Sequence, residues 1–356
     1  MPFRLLLLVL LLVHTCAKPL TPHGFQAVDA WLTENAPEMG GRALLLVYQN
    51  GKVVYSHSVN EMDLKDKLLQ RLYAKKLGQP IDLTAYTPTS RQAMASCSKW
   101  LSAALVMTFV DEGKLSLSDT VGRYLPVLSQ HGKGRITIGQ CLSHLTGIKA
   151  EPGAEDVQAM RTSGSMDQAI EQIALLPVEG APGKVFHYSG VGLQIAGAIV
   201  EKISGQRFET LFADRIARPL QMQHTDFGQW RVALPAGGAV STAQDYLNFL
   251  VMVLHNGTFN GQRVLSEASI AQMQLNRLTA GVQVLGSPME AGTFGYGYGE
   301  WLLGADVVSS PGLFGSYPWL DKRKKYAAFL LTLNLERAGR QKRYVELQQL
   351  VDNALH

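Results

Sequence analysis

The chain has 356 residues, 46% of them apolar, and a formal net charge of +4. This length and apolar content are sufficient for a large hydrophobic core, arranged as one large domain or two. The charge is too small to indicate a nucleic-acid-binding protein, so we expect no nucleic-acid partner.

The N-terminus has the pattern of a secretory signal. Arg4 precedes an unbroken apolar run over residues 5–13, and a small-residue cleavage pattern ends at Ala17. This run is too short to span a bilayer, which needs about 20 apolar residues. We therefore predict a signal peptide at 1–17, cleaved after Ala17, and export to the periplasm or the exterior. Lipidation of Cys16 is a less favoured alternative, because the residues before it are bulky and polar rather than small.

Strand-like patterns lie near the two ends of the chain, and helical patterns fill its middle. Asn50-Gly51 between two apolar runs is a strong hairpin signal. Residues 60–86 are polar and are predicted to be irregular. The predicted strands cover residues 43–48, 52–55, 297–303, 306–310, 313–320 and 326–334. The predicted helices cover residues 22–37, 91–113, 137–145, 167–175, 189–204, 208–217, 241–255, 266–277 and 341–355.

This distribution favours a sheet built from both ends of the chain. We predict an α+β fold in which an antiparallel sheet is flanked by terminal helices and carries an inserted, mostly helical domain. The predicted α/β lobe comprises residues 18–90 and 290–356, and the mostly helical lobe comprises residues 91–289. An active site would lie in the cleft between the two lobes.

Two cysteines follow the predicted signal peptide. Cys97 and Cys141 lie in predicted helices, so we expect two free, buried thiols rather than a disulfide. The basic cluster at residues 322–325 lies between two predicted strands and is interpreted as a solvated hairpin loop. No second long apolar segment indicates a transmembrane span, and the pattern does not specify an oligomeric state.

Ser96-Cys97-Ser98-Lys99 is the most informative segment for chemistry. Three residues make nearly one helical turn, so Ser96 and Lys99 would be neighbours on one helix face. A lysine amine beside a serine hydroxyl lowers the barrier to its deprotonation, which makes Ser96 a candidate nucleophile for acyl transfer. Cys97 is rotated by about 100° around the helix and is expected to point into the core.

Two later segments supply candidates for the remaining parts of an acyl-transfer site. Tyr188 beside Lys99 could take the Ser96 proton and return it to a leaving group, because a neighbouring ammonium favours the phenolate. Residues 309–315 are glycine-rich, which allows a substrate to approach the backbone closely. The backbone amides of Ser96 and Leu313 would then form an oxyanion hole.

Together these segments resemble the serine β-lactamase-like family. The segments that carry the resemblance are 96–99, 111–121, 137–147, 188–189, 191–201, 236–242 and 309–315. The resemblance covers essentially all of the chain after the predicted signal peptide, and it is strongest to class C β-lactamases, family VIII esterases, D-aminopeptidases and penicillin-binding peptidases. It implies the same two-lobe fold. It also implies Ser96 as nucleophile, Lys99 and Tyr188 as the proton-transfer pair, and the Leu313 amide in the oxyanion hole.

Two positions depart from the family pattern. Gly190 stands where the family usually has Asn, and Ser310 stands where it usually has Lys or His. That cation normally supports binding of a substrate carboxylate, and losing such a contact costs about 1.5–3 kcal/mol. We therefore expect weak or absent β-lactamase activity and a preference for uncharged esters or amides, with Lys184 or Arg323 as alternative sources of the charge. The predicted substrate-binding residues are Ser310, Gly312 and Gly190.

The resulting prediction is a secreted serine hydrolase that forms an acyl-enzyme on Ser96 and acts as an esterase, peptidase or amidase on small acyl substrates. Two alternatives stay open: a class C-like β-lactamase or penicillin-sensitive D,D-carboxypeptidase, and a catalytically silent member that binds a cell-wall fragment or a partner protein. A Ser-His-Asp triad through His144 or His187 is disfavoured, because no Gly-x-Ser-x-Gly elbow is present. Since the sequence has no metal-ligand spacing and no phosphate or dinucleotide motif, we expect no metal and no cofactor.

Overall fold

The computed structural model describes residues 24–78, 80–150, 163–228, 230–288 and 293–355. The predicted signal peptide, its cleavage after Ala17 and the alternative at Cys16 lie outside these residues. In the described residues, no helix has the length and apolar character needed to cross a bilayer.

Helices make up most of the middle of the chain. Their bounds are α1 (Gln26–Asn35), α2 (Leu64–Leu77), α3 (Ser98–Asp111), α4 (Pro126–Gln130), α5 (Ile138–Leu142), α6 (Met166–Leu175), α7 (Val191–Ser204), α8 (Phe208–Phe212), α9 (Ala243–Leu254), α10 (Glu267–Met273) and α11 (Arg340–Ala354). A π-helical turn, Ala213–Ala217, continues α8, and 3-10 turns cover Pro37–Met39, Ala95–Cys97 and Val121–Arg123.

The strands fall into one large sheet and three small pairs. Their bounds are β1 (Arg42–Gln49), β2 (Lys52–Asn60), β3 (Gln92–Ala93), β4 (Val185–His187), β5 (Val240–Ser241), β6 (Thr258–Phe259), β7 (Gln262–Arg263), β8 (Gln283–Gly286), β9 (Gly295–Tyr296), β10 (Trp301–Leu302), β11 (Val307–Ser309), β12 (Tyr317–Asp321) and β13 (Tyr326–Thr332). The small pairs are β3 with β5, β4 with β8, and β6 with β7.

The large sheet joins the two ends of the chain, as the strand distribution predicts. Its order is β2-β1-β13-β12-β11-β10-β9, and all neighbours are antiparallel. The link is the pairing of β1 with β13, in which Leu45 lies opposite Leu330. The predicted α+β architecture is therefore confirmed, whereas the lobe boundaries at residues 90 and 290 stay predictions.

Both faces of this sheet are buried at its strands β1, β12 and β13. In β1, Leu44 and Leu46 belong to the core shared with the helical body, whereas Leu45 and Val47 belong to the core formed with α1 and α11. Burial on both faces explains why β1 reads as a continuous apolar run rather than an alternating one. Helix α3 is buried from Ser98 to Phe109, so the segment that carries the Ser-x-x-Lys motif lies in the middle of the molecule.

Four elements differ from the sequence prediction. Residues 60–86 are not irregular throughout: α2 begins after Asp63, whose side chain forms a capping box with Asp66, and ends at Gly78 in the left-handed conformation. The predicted strand 313–320 starts only at Tyr317, because residues 310–316 form the turn that joins β11 to β12. Of the predicted strand 297–303, only Trp301–Leu302 (β10) is a strand, and the preceding strand β9 ends at Tyr296, before the predicted range.

The predicted helix 91–113 is shorter than expected, because Gln92–Ala93 is strand β3, Ala95–Cys97 is a 3-10 turn, and α3 begins only at Ser98. The predictions for the two cysteines and for the basic cluster agree with the structure. Cys97 and Cys141 are free and buried. Residues 322–325 form the turn between β12 and β13.

Candidate active site

The candidate nucleophile lies on a tight turn just before α3. Ser96 is the middle residue of the 3-10 turn Ala95–Cys97 and is partly exposed. Ala95 has a φ of +46°, a left-handed conformation that is unfavourable for a residue with a Cβ. Hydrogen bonds hold this turn, since the Met94 amide donates to the Ala239 carbonyl and the Cys97 amide donates to the Met94 carbonyl. Backbone strain of this kind persists only where the surroundings hold it, and it often marks functional sites.

Lys99 is placed to act on the Ser96 hydroxyl. Its Nζ lies 3.1 Å from Ser96 Oγ and 2.8 Å from the Ala236 carbonyl oxygen. Lys99 is buried, and no carboxylate pairs with it in the described residues. Burial lowers the pKa of Lys99 to about 7. A substantial fraction of this amine is therefore neutral at neutral pH, with a lone pair available for the serine proton.

The acceptor for Lys99 belongs to a loop held against α3. Ser102 Oγ donates to the Pro235 carbonyl at 2.6 Å, and the Ala239 amide donates to Ser98 Oγ at 3.0 Å. These two bonds fix the position of the Ala236 carbonyl between them. Sequence reasoning marked residues 236–242 only as a segment of family resemblance and missed this contact, because a backbone acceptor has no residue-type signature.

Tyr188 lies beside Lys99, as predicted. It directly follows β4, and its amide donates to the Gly286 carbonyl at 2.9 Å. The Lys99 Nζ is 4.6 Å from the centroid of the Tyr188 ring, within the range of a cation–π contact. The ring is buried and packs against Trp301 at a centroid distance of 5.4 Å. The structure therefore brings Ser96, Lys99 and Tyr188 together from two distant parts of the chain.

His144 supports the tyrosine rather than the serine. Its ring lies 4.6 Å from that of Tyr188 between centroids, and burial holds its pKa well below the usual range. The Ser189 amide donates to Nδ1 at 3.4 Å, so the neutral ring carries its proton on Nε2, which lies 3.0 Å from the Tyr296 hydroxyl. His187 pairs instead with Glu179, at 2.6 Å. Neither histidine is recorded in contact with Ser96, in keeping with the disfavoured triad.

The turn between β11 and β12 carries Leu313, whose backbone amide is the predicted second oxyanion donor. Within it, the Gly312 amide donates to the Ser316 carbonyl at 2.9 Å, and the Gly315 amide donates to the Gly312 carbonyl at 3.0 Å. The amides of Leu313 and Ser96, in contrast, donate to no backbone or side-chain acceptor among the described residues. Two unused donors next to a candidate nucleophile are what an oxyanion hole requires.

Gly312 lies so close to the turn that carries Ser96 that no side chain would fit between them. A Cβ built on Gly312 would be 2.5 Å from the Met94 carbonyl oxygen and 3.1 Å from Cys97 Sγ. The first distance is shorter than atoms tolerate, so only glycine allows the two turns to pack here. The sequence predicts that Gly312 binds substrate. Its contacts add a second role, because Gly312 lets the turn that carries Leu313 pack against the turn that carries Ser96.

Ser310 also joins these two turns. Its hydroxyl is 3.0 Å from the Gly299 carbonyl oxygen and 3.3 Å from the Ser96 carbonyl oxygen, and the residue is buried. Since the single hydroxyl proton is directed at the protein backbone, the geometry favours a positioning role. Substrate binding by Ser310 stays a prediction.

Gly190 and the alternative cations are placed less centrally. A Cβ on Gly190 would meet only the Ala236 Cβ, at an ordinary 3.6 Å, so the glycine is not required by packing. Lys184 is exposed at the start of β4. Arg323 pairs with Asp306 at 3.7 Å, at the end of β12 opposite the turn that carries Leu313.

Helix α11 holds the turn between β11 and β12 in place through two side chains. The buried Arg340 guanidinium donates to the carbonyls of Leu313 at 3.0 Å, Asn334 at 2.9 Å and Glu336 at 2.7 Å. One turn later, the Tyr344 hydroxyl donates to the Gly315 carbonyl at 2.9 Å. Sequence reasoning missed Arg340. The helix looks like a basic surface helix, and no local pattern indicates that its first residue contacts a turn 27 positions earlier.

We expect Arg340→Met to lower kcat for ester hydrolysis by about tenfold to a hundredfold with little change in KM, because the Leu313 carbonyl loses its fixed partner. Arg340→Lys should recover part of kcat, since a lysine can reach one of the carbonyls. Steady-state kinetics and thermal melting of both variants test this. Lys342→Met, at an exposed position of the same helix, is the control and should match the wild type. A fall in melting temperature without a fall in kcat would contradict the positioning role.

Comparisons with known proteins agree with this fold. The Beta-lactamase family model matches residues 36–351. The protein Rv1367c of Mycobacterium tuberculosis (strain ATCC 25618 / H37Rv) is 27% identical over 317 residues, which is 72% of this chain and 78% of that protein.

Two solved structures have the same fold. A Bacteroides dorei DSM 17855 protein assigned to the β-lactamases is 26% identical, with a TM-score of 0.76 over 93% of this chain and 98% of that chain. A family VIII carboxylesterase is 17% identical, with a TM-score of 0.72 over 94% of this chain and 99% of that chain. Since the family model spans most of the sequence and the fold agrees, this chain belongs to the Beta-lactamase family, whose members are generally serine hydrolases.

Proposed function

We propose that this protein is a serine hydrolase that forms an acyl-enzyme on Ser96, acting on small, uncharged esters or amides. The observation that carries the proposal is the buried Lys99 amine, 3.1 Å from Ser96 Oγ, whose pKa burial lowers to about 7. A silent binding protein has no need for a serine with a proton acceptor tuned to neutral pH beside it.

The chemistry follows from the positions of these groups. Ser96 Oγ attacks the acyl carbon and forms a new C–O bond, while the neutral Lys99 amine takes the hydroxyl proton. The charge that develops on the carbonyl oxygen is stabilised by the amides of Ser96 and Leu313. When the bond to the leaving group breaks, Lys99 and Tyr188 return the proton to it. A water molecule then gives a proton to the Lys99–Tyr188 pair and attacks the acyl carbon. The bond between this carbon and Ser96 Oγ breaks, Oγ takes the proton back, and the acid is released.

The preference for uncharged substrates rests on the charges around the turn. Ser310 replaces the family cation, and its hydroxyl is directed at backbone carbonyls. The guanidinium of Arg340 is engaged by carbonyls behind the turn. Neither Ser310 nor Arg340 therefore offers a substrate carboxylate a charge that would offset its loss of hydration, which disfavours penicillins and peptide C-termini. A family VIII carboxylesterase is among the structural neighbours whose names fit this preference.

Covalent labelling tests the proposal directly. We expect a fluorophosphonate to add once to the wild-type protein, as measured by intact mass, and not to add to Ser96→Ala. Ser118→Ala, in an exposed loop, is the matched control and should label like the wild type. A penicillin in the same experiment should give little adduct and little turnover. Rapid penicillin hydrolysis would contradict the substrate preference, and absence of any labelling would favour a catalytically silent protein.

A further inference from the structure

Helix α2 exposes three leucines along one face. Leu64, Leu68 and Leu72 are spaced four residues apart, so they lie in one row along the helix. Their exposed fractions are 85%, 56% and 53%, which is far from the buried state usual for leucine. Ile81, which follows the helix, is also exposed.

The opposite face of α2 packs on the protein through polar groups. Gln70 is buried, and its Nε2 donates to the Leu333 carbonyl at 2.8 Å and lies 3.4 Å from the Gly40 carbonyl oxygen. Asp66 on the same side takes part in the capping box. A surface helix of a globular protein normally buries its apolar stripe and exposes its polar one. In α2 this orientation is reversed.

The exposed face is also strongly basic. The helix carries five cations (Lys65, Lys67, Arg71, Lys75 and Lys76) and one carboxylate (Asp66), a net charge of +4. At 100° per residue, Lys65 and Lys76 fall on one side of the leucine row and Arg71 on the other, with Lys75 within it. In the part of the chain that the structure describes, none of these cations forms an ion pair with a carboxylate.

We propose that α2 is a docking surface for membranes that contain anionic phospholipid. The helix lies in the plane of the interface, with Leu64, Leu68 and Leu72 at the acyl-chain boundary and the flanking cations at the phosphates. Exposed leucines bordered by basic side chains are the composition of interfacial helices, and the stems of lysine and arginine can extend along the apolar surface while their charges remain in water. Pairing of α2 with a second copy would bring two helices of charge +4 together, which charge repulsion opposes.

Binding to vesicles measures the proposed docking. The full chain is sedimented with vesicles of phosphatidylcholine alone and of phosphatidylcholine mixed with phosphatidylserine. We expect at least about tenfold tighter binding to the anionic vesicles, decreasing as salt is raised. The triple variant Leu64→Ser, Leu68→Ser and Leu72→Ser should lose about tenfold or more of this binding. Leu175→Ser, at another highly exposed leucine on α6, is the control and should bind like the wild type.

A second measurement reports on α2 itself, whatever other segments do at the membrane. Leu68→Trp should gain fluorescence that brominated phosphatidylcholine in the anionic vesicles quenches, whereas Leu175→Trp should show no quenching beyond the wild-type background. Binding that is equal for neutral and anionic vesicles, or no quenching at position 68, would overturn the proposal. A leucine-dependent dimer in gel filtration without lipid would overturn it as well, because the face would then be a protein interface.

Discussion

Lys99→Met is expected to lower kcat for a short-chain 4-nitrophenyl ester by about a thousandfold or more, with a native melting transition. Methionine has a similar length and an apolar body, so it can fill the buried position without leaving an unpaired charge. The variant removes the group 3.1 Å from Ser96 Oγ that takes the proton. Steady-state kinetics and thermal melting are the measurements.

Lys99→Arg separates the two roles that a lysine can play. An arginine keeps a positive charge but does not deprotonate in proteins, so it cannot act as a base. We expect it to be as inactive as Lys99→Met. Retention of substantial activity in Lys99→Arg would contradict proton transfer and favour a purely electrostatic role.

The pH dependence of kcat/KM shows which protonation state of Lys99 is the active one. Below its pKa of about 7 the Lys99 amine is charged and cannot accept the serine proton. The value of kcat/KM should therefore fall about tenfold per pH unit on the acid side and level off above pH about 7. A rate that increases as the pH falls through this range would show that the charged amine is the active form.

Gly312→Ala is expected to produce the second large effect, a loss of about a hundredfold or more in kcat together with a moderate loss of stability. The added Cβ would lie 2.5 Å from the Met94 carbonyl oxygen, so the turn carrying Leu313 must move away from the turn carrying Ser96. Forcing an extra methyl group into such packing typically costs about 1–3 kcal/mol. Kinetics and thermal melting measure the two effects separately.

Gly237→Ala is the matched control for this substitution. It lies next to Ala236, whose carbonyl accepts from Lys99, but a Cβ on Gly237 would have nothing within 4 Å. We expect near-native kcat and melting temperature there. A Gly312→Ala protein that melts earlier but keeps its kcat would show that the two amides do not depend on this contact.

Much of the fold and part of the site could be predicted, because their local sequence patterns agree with the tertiary structure. The continuous apolar run of β1 and the Asn50-Gly51 turn indicate a doubly buried strand and a hairpin. The nucleophile and its base are one helical turn apart, so Ser96 and Lys99 could be paired without any knowledge of the fold.

Other parts depend on contacts that leave no local pattern. The Ala236 carbonyl contributes only a backbone oxygen, and Arg340 contacts Leu313 through the tertiary fold. Helix α2 was missed for a different reason. Leu64, Leu68 and Leu72 have helical spacing, which the prediction of an irregular segment from polar composition overlooked. That these leucines face solvent depends on the tertiary fold. Its capping box at Asp63 and Asp66 was the available local signal.

The order in which the sheet is assembled has a consequence for synthesis of the protein. Strand β13, which begins at Tyr326 in a chain of 356 residues, lies between β1 and β12, and Arg340 follows it. During translation, β1 and the Ser96 turn leave the ribosome long before the strand that connects them to the Leu313 turn. A nascent chain therefore cannot close its sheet or its site until β13 and Arg340 have been made. Chains that stop before β13 should be inert, because the emergence of β13 and α11 is what joins the two parts of the sheet and of the site.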